Sequence, residues 1–235
     1  MTRVKICGAT RPADIDLLSA AGADLVGLWH GVPGGHAELT TGQLTTLTQT
    51  AAATRLQPVL VTLQTTAAAI RQVLSAAGCG WVQLHGYQPP GTVRALKTAD
   101  RDLRVIKVLH VRNGRCLEQP LIGAYQRAGT DYFLLDPVTA EGRLGSTAQI
   151  LDVAVVLALA DVISRPFLLA GGITADRAAQ LREVSSHPRF LGVDVDTGAR
   201  DSNRRLDRTR IAGIRQAWPA SPLDDPLDTT TGALP

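Results

Sequence analysis

The feature that most constrains this chain is an alternation repeated eight times, a short apolar, β-branched run followed by a longer Ala/Leu-rich stretch with helical spacing. The short runs are Val4–Cys7, Leu25–Trp29, Gln57–Leu63, Trp81–Leu84, Arg104–Leu109, Tyr132–Leu135, Phe167–Ala170 and Phe190–Val195. The helical stretches between and after them are Pro12–Ala20, Thr41–Ala52, Thr66–Ala76, Gly91–Ala99, Leu117–Arg127, Ala148–Ala160, Ala175–Val184 and Leu206–Trp218. Most of the short runs are apolar throughout instead of alternating, which marks strands of a parallel sheet covered on both faces. Eight such units in about 218 residues predict an α/β protein, a single (β/α)8 TIM barrel over residues 1–218, and not an open doubly wound sheet.

Local signals support the boundaries. Thr10-Arg11-Pro12 places a capping hydroxyl just before a proline suited to the first helical turn. Asp207 is placed to cap the last helix. Gly22 and Gly78 are expected to end helices in the left-handed conformation. Residues 219–235, with four prolines and clusters of Asp and Thr, have little to bury and are expected to form a mobile C-terminal tail.

Composition narrows the function. Aromatic residues make up only 4 % and the formal net charge is +3, a poor match to a nucleic-acid binder but compatible with a small anionic ligand. Three cysteines, Cys7, Cys79 and Cys116, stand far apart without a CxxC pair, which argues against a disulfide framework or a zinc site and for a reducing cytoplasm. The N-terminus lacks the apolar stretch of a signal peptide, and no window reaches the roughly 18 apolar residues needed to span a bilayer.

In such a barrel the site lies at the C-terminal ends of the strands. The first strand ends at Cys7-Gly8, the second at Trp29-His30, the fourth at His85-Gly86, the sixth at Asp136. The seventh leads into Gly171-Gly172 and the eighth into Asp194, Asp196, Thr197 and Gly198. Small residues on the last two loops let backbone N–H groups approach an anion, and those loops commonly hold phosphate in this fold. A bare glycine pair would equally serve a tight turn, so the weight rests on two such loops being neighbours. Cys7 and Asp136 suggest a thiolate base and a carboxylic acid on one rim. His30 and His36 lack a third ligand, so no metal site is expected. Lys107 is expected to snorkel toward the rim, a Schiff-base role being the rival reading. Cys79 and Cys116 are expected to be packing residues, and His85 either orients the site or satisfies a buried hydrogen bond.

Taken together, VKICGATRPADID at the first unit, VQLHG at Val82–Gly86, FLLD at Phe133–Asp136, LAGGIT at Leu169–Thr174 and GVDVDTG at Gly192–Gly198 resemble, in order, the motifs of the phosphoribosylanthranilate isomerase family. The resemblance implies an Amadori rearrangement in tryptophan biosynthesis, from N-(5′-phosphoribosyl)anthranilate to 1-(o-carboxyphenylamino)-1-deoxyribulose 5-phosphate, without metal or organic cofactor. It implies Cys7 as general base and Asp136 as general acid, with Gly171, Gly172 and the Asp194–Gly198 segment at the phosphate. His85 and Arg143 join the expected substrate-binding set.

The sequence also departs from the family pattern. His36 stands where the family has an arginine facing the aryl carboxylate, and a histidine cannot make the bidentate fork. Leu144 and Thr147 replace loop glycines, and Ile150 an aromatic. Asp196 replaces a serine beside the phosphate and would repel it unless it turns away or Arg200 or Arg143 compensates. Two further readings therefore stand beside the isomerase: the same rearrangement on a different N-phosphoribosyl amine, and a non-catalytic barrel that binds a sugar phosphate. The expected partner is a phosphorylated small molecule, with neither nucleic acid nor membrane, and the expected assembly a monomer or homodimer.

Overall fold

The computed structural model describes residues 2–139 and 150–219. Within them nine strands form one sheet: β1 Arg3–Cys7, β2 Leu25–Trp29, β3 Gln57–Thr62, β4 Trp81–Leu84, β5 Arg104–Arg112, β6 Arg115–Cys116, β7 Tyr132–Pro137, β8 Phe167–Leu169 and β9 Phe190–Val195. All but β6 are parallel, and the order β4-β3-β2-β1-β9-β8-β7-β5 closes through a β4–β5 pairing into an eight-stranded barrel. The two-residue β6 folds back antiparallel on the extended end of β5. The eight expected strands are therefore all present, and the closed barrel is the observed fold.

The helices are α1 Pro12–Ala20, α2 Thr41–Ala52, α3 Ala67–Ala77, α4 Pro90–Ala99, α5 Ile122–Ala128, α6 Val153–Val162, α7 Arg182–Ser185 and α8 Arg208–Ala217. Four carry side-chain caps at their N-termini: Thr40 accepts from the Gln43 amide, Thr66 from Ala69, Asp152 from Ala154 and Val155, and Asp207 from Arg210. Helix α1 corrects the expected cap. Its N-cap is Arg11, and Asp14 reaches back to accept from the amides of Thr10 and Arg11 at 2.9 and 3.1 Å, so the first turn supplies the acceptor instead of the Thr10 hydroxyl. Gly22 and Gly78 follow α1 and α3 with φ of +78° and +64°, as expected.

Three helical stretches differ from expectation. The fifth is a short 3-10 turn, Gln119–Leu121, leading into α5. The seventh is reduced to a 3-10 turn at Ala175–Arg177 and the four residues of α7. Ala178, Leu181 and Val184 of this stretch pack on the core. Helix α6 starts at Val153 because Asp152 caps it, five residues later than the sequence suggested.

Two apolar clusters result. The larger lies between strands and helices and takes the outward residues, such as Val4 and Ile6 of β1 and Leu135 of β7. The smaller fills the barrel with Leu25, Val59, Ile106, Val108, Leu134 and Leu168 among others. Alternation along each strand sends neighbours to opposite layers. Lys5, Gln83 and Lys107 are buried polar residues in these strands, each with none of its surface exposed. The expected tail beyond Pro219, and Arg143, Leu144 and Thr147, lie outside the described residues.

Candidate active site

A cleft enclosing about 770 Å³, part of it open to solvent, sits at the C-terminal ends of the strands. Cys7, His85 and Asp136 line its floor with Asp194, and Gly171, Gly172, Thr197, Gly198 and Asp196 form one wall. The opposite wall is apolar: Trp29, Val32, Val61 and Leu63. Among the described residues, the one expected site residue that does not line it is His36. His36 stands just behind the wall, its ring 4.7 Å from that of Trp29 and its Nε2 3.5 Å from Asp196 Oδ1.

Cys7 has two partners. Lys5, two residues earlier on the same face of β1, donates to Cys7 Sγ at 2.8 Å. The same ammonium donates to Asp194 Oδ1 at 2.9 Å, and Cys7 Sγ approaches Asp194 Oδ2 at 3.7 Å. The trio forms because β1 pairs with β9 in a register that sets Lys5 opposite Asp194. Gly27 on β2 makes room for the sulfur, since a Cβ there would fall 2.3 Å from Cys7 Sγ. Burial and the Asp194 carboxylate push the Cys7 thiol up to about 12, while Lys5 pulls it down. Burial also works against the Lys5 ammonium, but Asp194 and Cys7 outweigh it and hold the amine above its ordinary value. Asp194 thus turns into the barrel toward Lys5 and Cys7, while its neighbours on the loop form the wall.

Asp136 ends β7, three strands from Cys7 around the ring. Burial, reinforced by Asp194, pushes its carboxyl up to about 8, with Lys5 opposing. At neutral pH it is therefore a carboxylic acid with a proton to give. His85 Nε2 lies 3.5 Å from Asp136 Oδ2. Burial, then the charges of His110, Lys5 and Lys107, push His85 down to about 3, so it is a neutral imidazole.

The two glycine-bearing loops meet backbone to backbone. Gly171 and Gly172 have φ of +93° and +56°, a turn closed to most side chains. A Cβ on Gly198 would fall 2.0 Å from the carbonyl oxygen of Ile173. The amides of Gly171, Gly172, Thr197 and Gly198 donate to no acceptor among the described residues. Unpaired N–H groups at the rim of a cleft are a ready anion site. Asp196 does not spoil it. Arg200 Nε donates to its Oδ1 at 2.7 Å, and Arg200 Nη2 donates to the carbonyls of Cys7 and Gly8 at 3.1 and 2.9 Å. The carboxylate is bound to a cation, as the sequence required of any aspartate at this place.

Other expectations change. Lys107 leans toward the C-terminal ends of the strands, as expected, but does not reach water: it is wholly buried on the helix side of β5, donates to the carbonyls of Gly86 and Val108 at 2.7 Å each, and lies over the Tyr125 ring. Burial brings it down to about 8 against the pull of Glu118. His30 Nδ1 is satisfied by the Leu39 carbonyl at 2.7 Å, and no cluster of metal-ligating side chains occurs among the described residues. Cys79 and Cys116 are buried packing residues, as expected. Composition and motif do not single out Lys5 and Gln83, which the structure brings to Cys7 and His85. The available signal was strand parity: each stands two residues before a site residue and so shares its face.

Comparison with known proteins adds the family. The sequence model of N-(5′-phosphoribosyl)anthranilate (PRA) isomerase matches residues 4–207. An N-(5′-phosphoribosyl)anthranilate isomerase of Methanocella arvoryzae is 32 % identical over 213 residues, covering 88 % of this chain and 93 % of that protein. One of Pelobacter propionicus is 34 % identical over 218 residues, covering 90 % and 92 %. A solved phosphoribosyl anthranilate isomerase in complex with reduced 1-(o-carboxyphenylamino)-1-deoxyribulose 5-phosphate is 26 % identical, with a TM-score of 0.71 over 92 % of this chain and 98 % of that one.

Proposed function

Since the chain belongs to the N-(5′-phosphoribosyl)anthranilate isomerase family, we propose that its cleft performs the Amadori rearrangement of tryptophan biosynthesis with Asp136 as general acid and Cys7 as general base. The observation that carries this is the pairing of a carboxyl raised to about 8 with a lysine-bonded thiol in one cleft. The substrate's phosphate sits on the free amides of the Gly171-Gly172 and Thr197-Gly198 loops, and its aryl ring on the wall of Trp29, Val32, Val61 and Leu63.

The steps follow from these positions. Asp136 gives its proton to the furanose oxygen, the C1′–O bond breaks, and the nitrogen lone pair forms a protonated Schiff base. The Cys7 thiolate takes the C2′ proton, and the C2′–H electron pair neutralises the Schiff base to an enolamine. The enol proton then returns to carbon at C1′ and the ketone forms. Each proton transfer contributes about 10²–10⁴-fold. Cys7→Ala and Asp136→Asn should each keep the fold and lower kcat by at least about 10². Near-normal turnover of N-(5′-phosphoribosyl)anthranilate by either variant sinks the assignment.

One observation favours a different N-phosphoribosyl amine as substrate: among the described residues no lysine or arginine lines the cleft to meet an aryl carboxylate. His36, which stands where the family pattern has its arginine, is already against Asp196. A charge-assisted hydrogen bond to a carboxylate is worth about 1.5–3 kcal/mol, or one to two powers of ten. His36→Arg should raise kcat/KM for the anthranilate substrate by about that factor at pH ~8, where an ordinary histidine is neutral. No gain, or efficient wild-type turnover at that pH, leaves the anthranilate reading alone. The working compartment is the cytoplasm, where Cys7 stays reduced, and the assembly is a monomer or homodimer, which sedimentation equilibrium decides. Among the described residues no helix is long and apolar enough to cross a membrane.

A further inference from the structure

Two buried atoms near the acid have no hydrogen-bond partner, Asp136 Oδ2 and Gln83 Oε1. They stand at the ends of one short line of side chains. Gln83 is wholly buried on β4, and its amide nitrogen lies 2.9 Å from His85 Nδ1. The other ring nitrogen of His85 faces Asp136 Oδ2 at 3.5 Å. The main chain of His85 is held from behind, where its carbonyl meets His110 Nε2 at 3.0 Å and His110 Nδ1 meets Glu118 Oε1 at 2.6 Å.

A neutral imidazole has a single N–H, and its position follows from the bond the other nitrogen makes. With the Gln83 amide N–H donating, Nδ1 must accept and the ring proton sits on Nε2. Nε2–H then faces Asp136 Oδ2, which must accept in turn. The acidic proton of Asp136 is left on Oδ1, which, unlike Oδ2, is not among the buried atoms without a partner and is therefore the oxygen open to the cleft that Asp136 lines. In the opposite tautomer Nε2 is bare, draws the Asp136 proton onto Oδ2, and leaves a bare oxygen facing the substrate. The first arrangement is a general acid; the second is not.

We propose that Gln83 is a positioning residue that fixes His85 as the Nε2–H tautomer and thereby places the acidic proton of Asp136 on the oxygen facing the substrate. This rests on the reading of Asp136 as the acid. When the proton leaves for the ring oxygen, the same Nε2–H is in place to donate to the new carboxylate, and catalytic contacts that are long in a free site tighten in the complex. The charged groups around the line are Lys5, Lys107 and His110 toward His85, and Lys5, Asp194 and Asp196 toward Asp136. None of them bonds to His85 Nδ1, so Gln83 alone sets the tautomer from that side.

The test is a double-mutant cycle on kcat and KM. Gln83→Leu should lower kcat about tenfold to a hundredfold, with KM changed less than about twofold. His85→Gln offers Asp136 an amide N–H from about the place of Nε2 with no tautomer to choose, so it should keep at least about a third of kcat, whereas His85→Leu should lose more than tenfold. Added to His85→Gln, Gln83→Leu should cost nothing further. Equal losses in the two backgrounds, an unchanged kcat in Gln83→Leu, or His85→Gln as poor as His85→Leu each overturn the proposal. If leucine is not accepted inside the barrel, Gln83→Met runs the same cycle. Asp136→Asn is measured alongside: near-normal turnover there fails the acid reading itself, and the proposal with it.

Discussion

Replacing Lys5 by methionine keeps most of the side-chain volume inside β1 and removes the ammonium that touches the thiol of Cys7. At 2.8 Å and an effective dielectric constant of about 20, the bare attraction between that ammonium and a thiolate is about 6 kcal/mol. Asp194, 2.9 Å from the same nitrogen, cancels most of this field. What remains is a charge-assisted hydrogen bond, about 1.5–3 kcal/mol. At about 1.36 kcal/mol per unit, Lys5→Met raises the Cys7 pKa by about one to two units and cuts the thiolate fraction at a given pH by ten- to a hundredfold. The assay is the second-order rate of iodoacetamide alkylation at pH ~8, read by mass spectrometry on the peptide bearing Cys7, so that Cys79 and Cys116 do not contribute. The single variant also leaves Asp194 buried without its cation, which costs about 3–5 kcal/mol and lowers Tm. Lys5→Met with Asp194→Asn removes both charges. Because Asp194 raises the thiol and Lys5 lowers it, the double variant should alkylate within a few-fold of wild type and recover Tm. A folded Lys5→Met protein whose Cys7 alkylates at the wild-type rate refutes the reasoning.

The pH profile follows from the same two groups. Asp136 must hold its proton, which it loses as pH rises through about 8, and Cys7 must lose its proton, which it does toward about 12. Below pH 8 kcat/KM should therefore climb about tenfold per unit, then level off as the falling acid cancels the rising thiolate; a bell with its peak near pH 6 contradicts this assignment. Gly198→Ala puts a Cβ 2.0 Å from the Ile173 carbonyl and forces apart the two glycine-bearing loops proposed to hold the phosphate. Inorganic phosphate should compete with substrate in wild type, and its inhibition constant should rise at least about tenfold in the variant; an unchanged constant places the anion elsewhere.

Much of this protein was present in the sequence. Continuous apolar strands at regular intervals allow a parallel sheet and little else, and eight of them between helices close into a ring. The positions of Cys7, Asp136, Gly171-Gly172 and Asp196–Gly198 at strand ends followed from strand boundaries alone, because each strand end is a local property. The departures are local as well: Arg11 stands at the N-cap of α1 with Asp14 accepting from the Thr10 and Arg11 amides, and the seventh helix shortens to a 3-10 turn and four residues.

Only the tertiary structure decided what those side chains are chemically. Lys5 reaches Asp194, 189 residues away, because the ring closes by pairing β1 with β9. Asp196 is harmless because Arg200 folds back over it and onto the carbonyls of Cys7 and Gly8. Lys107, which by sequence belonged near the rim with its ammonium in water, is wholly buried with that ammonium held by the Gly86 and Val108 carbonyls. A carboxyl of ordinary acidity became one near 8, and a histidine of ordinary basicity became neutral at any working pH, once the barrel shut water out. Which residue stands at a strand end is set by its neighbours in the chain; the free energy of its charge is set by desolvation and by partners that arrive only when distant strands meet.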